Sequence, residues 1–320
     1  MCSCSDDSSN HIFKSRLLSV SLSSLKSYSY PLRNFTSYLK QWSFLISEAS
    51  ISGFLMKMVN EKSTVGSVNL FFNAITFFKS FYELSFEITR QIRDLKKFAL
   101  MTLEEKRMIR DSFGETEISV LWDRFFNNFH DRSLTEFRTF VMIVILHTTF
   151  CRFACLQNVK ISNLYYDKDY FKIFVPFSKT DISGKGEYVF VPNRDSSKNP
   201  HKLLSLYLHF MNFEKNDFYL FPPLEWKKPE KKWLPSFNRQ LSYSAAYGSF
   251  KNLLNNMNIE GNFGLHSMRI GAATDAYSNQ VSMDVIDRQG RWKCPKSKYR
   301  YIKKSDDGII FELKKTSNYD

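Results

Sequence analysis

From about residue 34 to 111 the apolar residues of this chain recur at three- and four-residue intervals. TSYLKQWSFLISEA, SGFLMKMVNEK and SVNLFFNAITFFKSFYEL each carry the pattern, which predicts amphipathic helices packed against one another. No proline falls between Pro31 and Pro176, as a long all-helical run requires. The first 30 residues are Ser-rich and weakly periodic, and read as a mobile leader. A link at SFGET, residues 112–116, separates the first helical region from EISVLWDRFFNNFH and LTEFRTFVMIVILHTTFCRF. YFKIFVPF and EYVFVP then alternate and are rich in β-branched and aromatic residues, with SKTDISGKG between them; this predicts a β-hairpin with lysines on its tip. HKLLSLYLHFMNF reads as a helix, LFPPLEWKKPEKKWLPSF as a Pro-rich surface loop, and SYSAAYGSFKNLLNNMN as a helix. The expectation is a mainly α chain with a small β-hairpin or sheet (α+β): a leader over 1–30, a helical domain over 31–112 and a second domain over 113–320.

Composition changes this picture in two ways. The 320 residues carry a formal net charge of +13 and a pI near 9.4, a balance that favours a polyanionic partner, nucleic acid first. The five cysteines, Cys2, Cys4, Cys151, Cys155 and Cys294, form no pair of C-x-x-C motifs, so neither a zinc site nor a disulfide framework is expected and the compartment reads as reducing. Cys151 and Cys155 lie one helical turn apart and read as packing residues. The longest apolar run, Phe140 to Leu146, is closed by His147 and is too short to cross a bilayer. MCSCSDDSSN carries Asp6 and Asp7 where a signal peptide carries positive charge. An intracellular protein without membrane association is expected.

The chemistry concentrates in FGLHSMRIGAATDAYSNQVSMDVIDRQGRWKCPKSKYRYI, residues 263–302. His266 and Arg269 lie three apart on one helix face; Ser282 can cap, and Gly290 end, a short helix over MDVIDRQ. Tyr301 follows Trp292 by nine positions amid a run of lysines and arginines. This order, H-x-x-R, then G-R-W, then Tyr, resembles the active-site block of tyrosine recombinases, the phage-integrase family. The wording looks most like the integrases of eukaryotic crypton-type mobile elements. RFACLQNVKISNL is similar to the family's first-arginine box, which places Arg152 as the catalytic arginine. Cys155 stands there where an acid is usual, and Ile161 where Trp is usual.

The resemblance implies a metal- and ATP-independent DNA strand transferase that works through a 3′-phosphotyrosine, with no cofactor. It also implies double-stranded DNA as partner, a homo-multimer, expected to be a tetramer, on that DNA, and a nuclear setting. Arg152 and Arg269 would be planar forks for nonbridging phosphate oxygens, and His266 an acid/base or phosphate donor with a pKa near neutrality. Trp292 would offer an indole N–H. The hairpin lysine that protonates the leaving oxygen would be Lys179, with Lys185 as its competitor. Tyr301 is the expected nucleophile and Tyr299 its rival. Two other readings share these residues: a DNA-binding protein that keeps the fold without catalysis, and a type IB topoisomerase. No phosphate loop of the form G-x-x-x-x-G-K-[ST] occurs, in line with the absence of an ATP requirement.

Overall fold

The computed structural model describes residues 21–103, 110–178, 181, 184–228, 231–292, 298–299 and 301–302. It divides into two compact units, Met1–Arg107 and Met108–Asp320.

Among the described residues the first unit is built from four helices, α1 (Leu22–Gln41), α2 (Glu48–Asn60), α3 (Val65–Tyr82) and α4 (Arg90–Thr102). Each begins at a Ser or Thr whose hydroxyl accepts a backbone N–H of the first turn: Ser21, Ser47, Thr64 and Thr89, the usual means of satisfying donors that have no partner within the helix. Packing follows the periodic stripes, with Phe35, Phe54 and Phe71 forming a mutual cluster at ring separations of 5.2, 5.2 and 4.8 Å. Two expectations are corrected here. Helix α1 starts inside the stretch read as a mobile leader, because Ser21 caps it and burial of Pro31 and Phe35 holds it; the first 20 residues lie outside those described. TSYLKQWSFLISEA is also not one helix. The chain leaves α1 at Trp42 and re-enters at Glu48, where Ser47 and Ser50 form a reciprocal capping box. Trp42, Phe44, Leu45 and Ile46 between them are exposed.

The second unit is organised around α6 (Leu134–Thr148), in which every residue from Phe137 to Leu146 is buried. A helix apolar on all sides belongs at the centre of a domain, and this is where the longest apolar run of the sequence sits. Around it pack α5 (Glu115–Asn127), α8 (Pro200–Met211), α9 (Tyr243–Asn256), α10 (Ser267–Ser278) and a three-stranded antiparallel sheet of β1 (Leu164–Tyr166), β2 (Tyr170–Val175) and β3 (Glu187–Pro192). The β2–β3 hairpin pairs Tyr170 with Pro192 through to Val175 with Glu187. Phe171, Ile173, Val175, Val189 and Val191 turn into the core, the period-2 burial read from the sequence. The SFGET link does not separate the units: Asp111 and Phe113 donate backbone N–H groups to Asn262 and Ser267, which stitches this stretch into the second unit. The Pro-rich stretch is a further correction, since it forms the antiparallel pair β4 (Leu224–Lys227) and β5 (Lys232–Pro235). No described helix is long and apolar enough to cross a membrane. The architecture is mainly helical with small antiparallel sheets, as expected.

Candidate active site

Four separate stretches of the second unit meet at the phenol of Tyr301. The first leaves the C-terminus of α6. Thr149 satisfies the helix end, its N–H and hydroxyl both directed at the Ile145 carbonyl. Phe150 then takes a left-handed conformation, φ 55°, which reverses the chain into the short helix α7 (Phe153–Leu156). Cys151, Phe153, Cys155 and Leu156 are buried under α7 and fix its roll. Arg152, at its N-cap, remains half-buried and reaches across with Nη2 3.4 Å from the Tyr301 hydroxyl.

The second stretch is α10. His266 caps this helix rather than lying inside it, and its ring meets the Tyr301 ring edge-on at 5.2 Å. Arg269, one turn on, is fully buried. Its Nη1 donates to the Phe150 carbonyl and its Nη2 to the Gly290 carbonyl at 2.7 Å. Its guanidinium carbon lies 4.2 Å from the Trp292 ring centroid and 5.1 Å from that of Tyr301. A buried guanidinium needs such acceptors and π faces to offset its lost hydration. Thus two of the five donors expected to grip phosphate are spent on main-chain carbonyls, and Nε is buried with no partner among the described residues.

The third stretch is α11 (Met283–Gly290) and the turn beyond it. Gly290 does not supply the left-handed stop that the sequence suggested; Arg291 does, with φ 54°. Gly290 is the last helical residue, and only glycine fits there because a Cβ would meet the Trp292 ring at 1.9 Å. Trp292 is buried, packs 5.4 Å from the Tyr301 ring, and its indole N–H has no partner among the described residues. The fourth stretch holds Lys298, Tyr299, Tyr301 and Ile302, and the N–H groups of Tyr301 and Ile302 both return to the Lys298 carbonyl. Ile302 is buried against Ala273, Ile286 and Trp292. Tyr299 is exposed, with the Lys298 ammonium near its ring.

The electrostatics follow from this convergence. Burial pushes the His266 imidazole down, and the nearby Arg269, Arg152 and Arg110 push it further, to about 4. The expectation of a near-neutral value is therefore corrected: at pH 7 the ring is neutral and donates one N–H at most. Burial, then the charge of Arg152, lower Arg269 to about 10. Burial raises the Tyr301 phenol, but the Arg152 hydrogen bond and the charges of Arg152 and Arg269 outweigh it, so the net shift is downward.

Lys179 lies outside the described residues. The turn around it is partly visible, with Gly186 donating its N–H to Asp181 Oδ2 at 2.7 Å, and Lys185 is exposed. Several residues that position the site carried no signal in the sequence. Gln289 donates Nε2 to the carbonyls of Thr148 and Phe190 and accepts the Phe190 N–H, which clasps α11 between α6 and β3. Thr274 donates to the Tyr301 carbonyl at 3.2 Å. Lys298 pairs with Asp287 at 2.5 Å. Arg291 is buried, donates to Cys151 Sγ at 3.4 Å and also interacts with Cys155.

The phenol of Tyr301 is thus lowered by two arginines and flanked by the neutral imidazole of His266 and the indole of Trp292. The phage integrase family pattern matches residues 123–307, and the chain belongs to that family. No curated protein matches it in sequence. Among solved structures it is similar to XerH site-specific recombinase bound to palindromic difH substrate in a post-cleavage complex (TM-score 0.65, 13% identity, 90% of this chain and 78% of that one). It is also similar to a lambda integrase dimer bound to a COC′ core site (TM-score 0.59, 15% identity, 92% and 95% covered). A third similar structure is a Tn1549 transposon integrase in complex with transposon right end DNA (TM-score 0.58, 11% identity, 93% and 94% covered). At these identities the likeness establishes a shared fold.

Proposed function

We propose that this protein is a site-specific DNA recombinase or integrase that cleaves and rejoins strands through a 3′-phosphotyrosine. The observation that carries the reading is the contact between Arg152 and the Tyr301 hydroxyl, made with Arg269, His266 and Trp292 on the other sides of the same ring. In the proposed reaction the Tyr301 oxygen attacks phosphorus as its proton leaves, the bond from phosphorus to the 5′ oxygen breaks, and that oxygen takes a proton, with Lys179 as its source. Negative charge grows on the nonbridging oxygens; fixed donors aimed at such charge are the largest catalytic contribution in most sites of this type. Arg152, the unspent N–H groups of Arg269, the neutral imidazole of His266 and the indole N–H of Trp292 are the donors available. The phosphate's bond energy is kept in the ester to tyrosine, so neither ATP nor a metal is required.

The family's other properties extend the same reading. The first helical unit would clamp duplex DNA from one side, and four copies would assemble on two DNA partners. The crypton-like wording of residues 263–302 points to a mobile element of a eukaryotic nucleus.

The test is a nicked suicide duplex carrying the ends of the element that encodes the protein. Wild type should form an adduct stable to denaturant; Tyr301→Phe should form none, and Tyr299→Phe should form it as wild type does. Adduct formation by Tyr301→Phe would remove Tyr301 as nucleophile. If neither wild type nor Tyr301→Phe reacts while both bind DNA, the second reading stands, a binding protein on a recombinase fold. The carbonyl-bound Arg269 and the thiol-paired Arg291 are what favour it. Relaxation of supercoiled plasmid by a monomer at no particular site would instead indicate topoisomerase activity.

A further inference from the structure

The β4–β5 ribbon serves neither the core nor the phenol site, yet its base is firmly built. Below it, Arg138, itself buried, donates to the Pro222 carbonyl at 2.9 Å and to Ser249 at 3.3 Å. Phe218 and Phe237 stack at 4.7 Å. Gln240 donates to Asn158 at 2.7 Å, six residues beyond Arg152. A two-stranded ribbon gains little stability alone, so this anchoring holds it in place from below.

Register divides the ribbon into two unlike faces. Leu224 pairs with Pro235 and Trp226 with Trp233, while Glu225 pairs with Leu234 and Lys227 with Lys232. Alternation therefore puts both indoles on one face and the lysine pair on the other. The indoles touch edge-to-face at 5.9 Å, yet are 49% and 53% exposed. Like charges directly opposite each other destabilise a strand pair, and among the described residues the acid on that face, Glu225, is shared between Lys227 at 3.4 Å and Arg239. Lys228, Lys231 and Lys232 are exposed and have no ion pair among the described residues.

Resting on the reading of the protein as a DNA recombinase, we infer that this ribbon is a separate duplex-DNA contact, which enters a groove and meets phosphates with its lysines. A two-stranded ribbon fits the major groove, and a phosphate beside Lys227 and Lys232 relieves their mutual repulsion. The indole face then packs on the sugar edge of the groove wall, which covers the apolar surface that the free protein leaves in water. A protein partner would need carboxylates facing the lysines and an apolar surface on the opposite face of the same thin ribbon; a groove supplies two walls at once.

The test is binding of the full chain to a nonspecific duplex across a salt series. Replacing Lys227, Lys228, Lys231 and Lys232 by Gln should lower the slope of log affinity against log salt by about 3.6, since each of the four lost phosphate contacts removes roughly 0.9. The four Lys→Arg changes together should keep the wild-type slope. Trp226→Ala with Trp233→Ala should weaken duplex binding about tenfold, as expected for exposed aromatic contacts, with the slope unchanged. A Gln variant that melts with wild type and keeps its slope overturns the inference, as does a loss confined to single-stranded DNA. Failure of wild type to bind duplex at all would instead sink the recombinase reading on which this one rests.

Discussion

Replacing Gly271 by alanine adds one methyl group at the tightest crossing in the second unit. The new Cβ would lie 2.0 Å from the Phe113 carbonyl oxygen, 2.3 Å from its carbon and 2.7 Å from the Gly114 nitrogen. Ordinary contact begins at 3.4 Å, so the overlap with the oxygen is 3.4 minus 2.0, or 1.4 Å. All three atoms are main chain and cannot rotate away. Phe113 is also tied by its N–H to the Ser267 carbonyl at 3.2 Å, and Gly114 by its N–H to Glu117 at 2.8 Å. Overpacking of this kind costs about 1–3 kcal/mol, and the rigid partner places it at the upper end. Alanine returns about 1 kcal/mol of helix propensity. The net expectation is a loss of about 2 kcal/mol, or roughly 4–8 °C in melting temperature for a unit of this size. Helix α10 also carries His266 and Arg269, and a shift of about 1 Å in catalytic groups costs on the order of 10²-fold in rate. Adduct formation should therefore fall further than stability alone explains. The control is Gly248→Ala in α9, where a Cβ meets nothing within 4 Å; that change should raise the melting temperature. Thermal melts of the three proteins decide the matter. If Gly271→Ala melts at or above wild type, the close approach of α10 to residues 113–114 is wrong.

Two further outcomes follow from the charges. His266 is depressed from 6.5 to about 4 in the folded protein, so the unfolded chain binds the extra proton. The stability this represents is fully present above pH 6.5 and is lost as pH falls towards 4; discounted for the ring's partial exposure, it is about 2 kcal/mol. His266→Asn should flatten the pH dependence of the melting temperature in that window, and an unchanged slope would contradict the buried, arginine-flanked ring. The Tyr301 phenol should titrate below an ordinary tyrosine, and ultraviolet difference titration of wild type against Tyr301→Phe isolates it. Arg152→Ala should move this titration upward, because the hydrogen bond and charge that outweigh burial are gone; a titration that stays put would place Arg152 away from the phenol.

Much of this architecture was readable because its signals are local. The Phe stripes of α2 and α3, the alternation of β2 and β3, and the ordered spacing of His266, Arg269, Trp292 and Tyr301 each lie within one short window. The misreadings have equally specific causes. Trp42 to Ile46 continue an apolar period, but the Ser47–Ser50 capping box starts a new helix there and leaves them exposed. Residues 110–114 lack periodicity because they act through main-chain pairing with Asn262 and Ser267, which no side-chain pattern records. The Pro-rich stretch hid a strand pair whose alternation is short and interrupted by lysines.

By itself, the sequence determined the family to which this chain belongs, through the residue types, their order and an excess of positive charge. Only the tertiary structure decided their state. The loss of hydration at Arg269, the neutral ring of His266 and the lowered phenol of Tyr301 all depend on groups far apart in the chain meeting in a space from which water is largely excluded. A pKa or a spent donor is a property of those neighbours, and distance along the chain does not encode them.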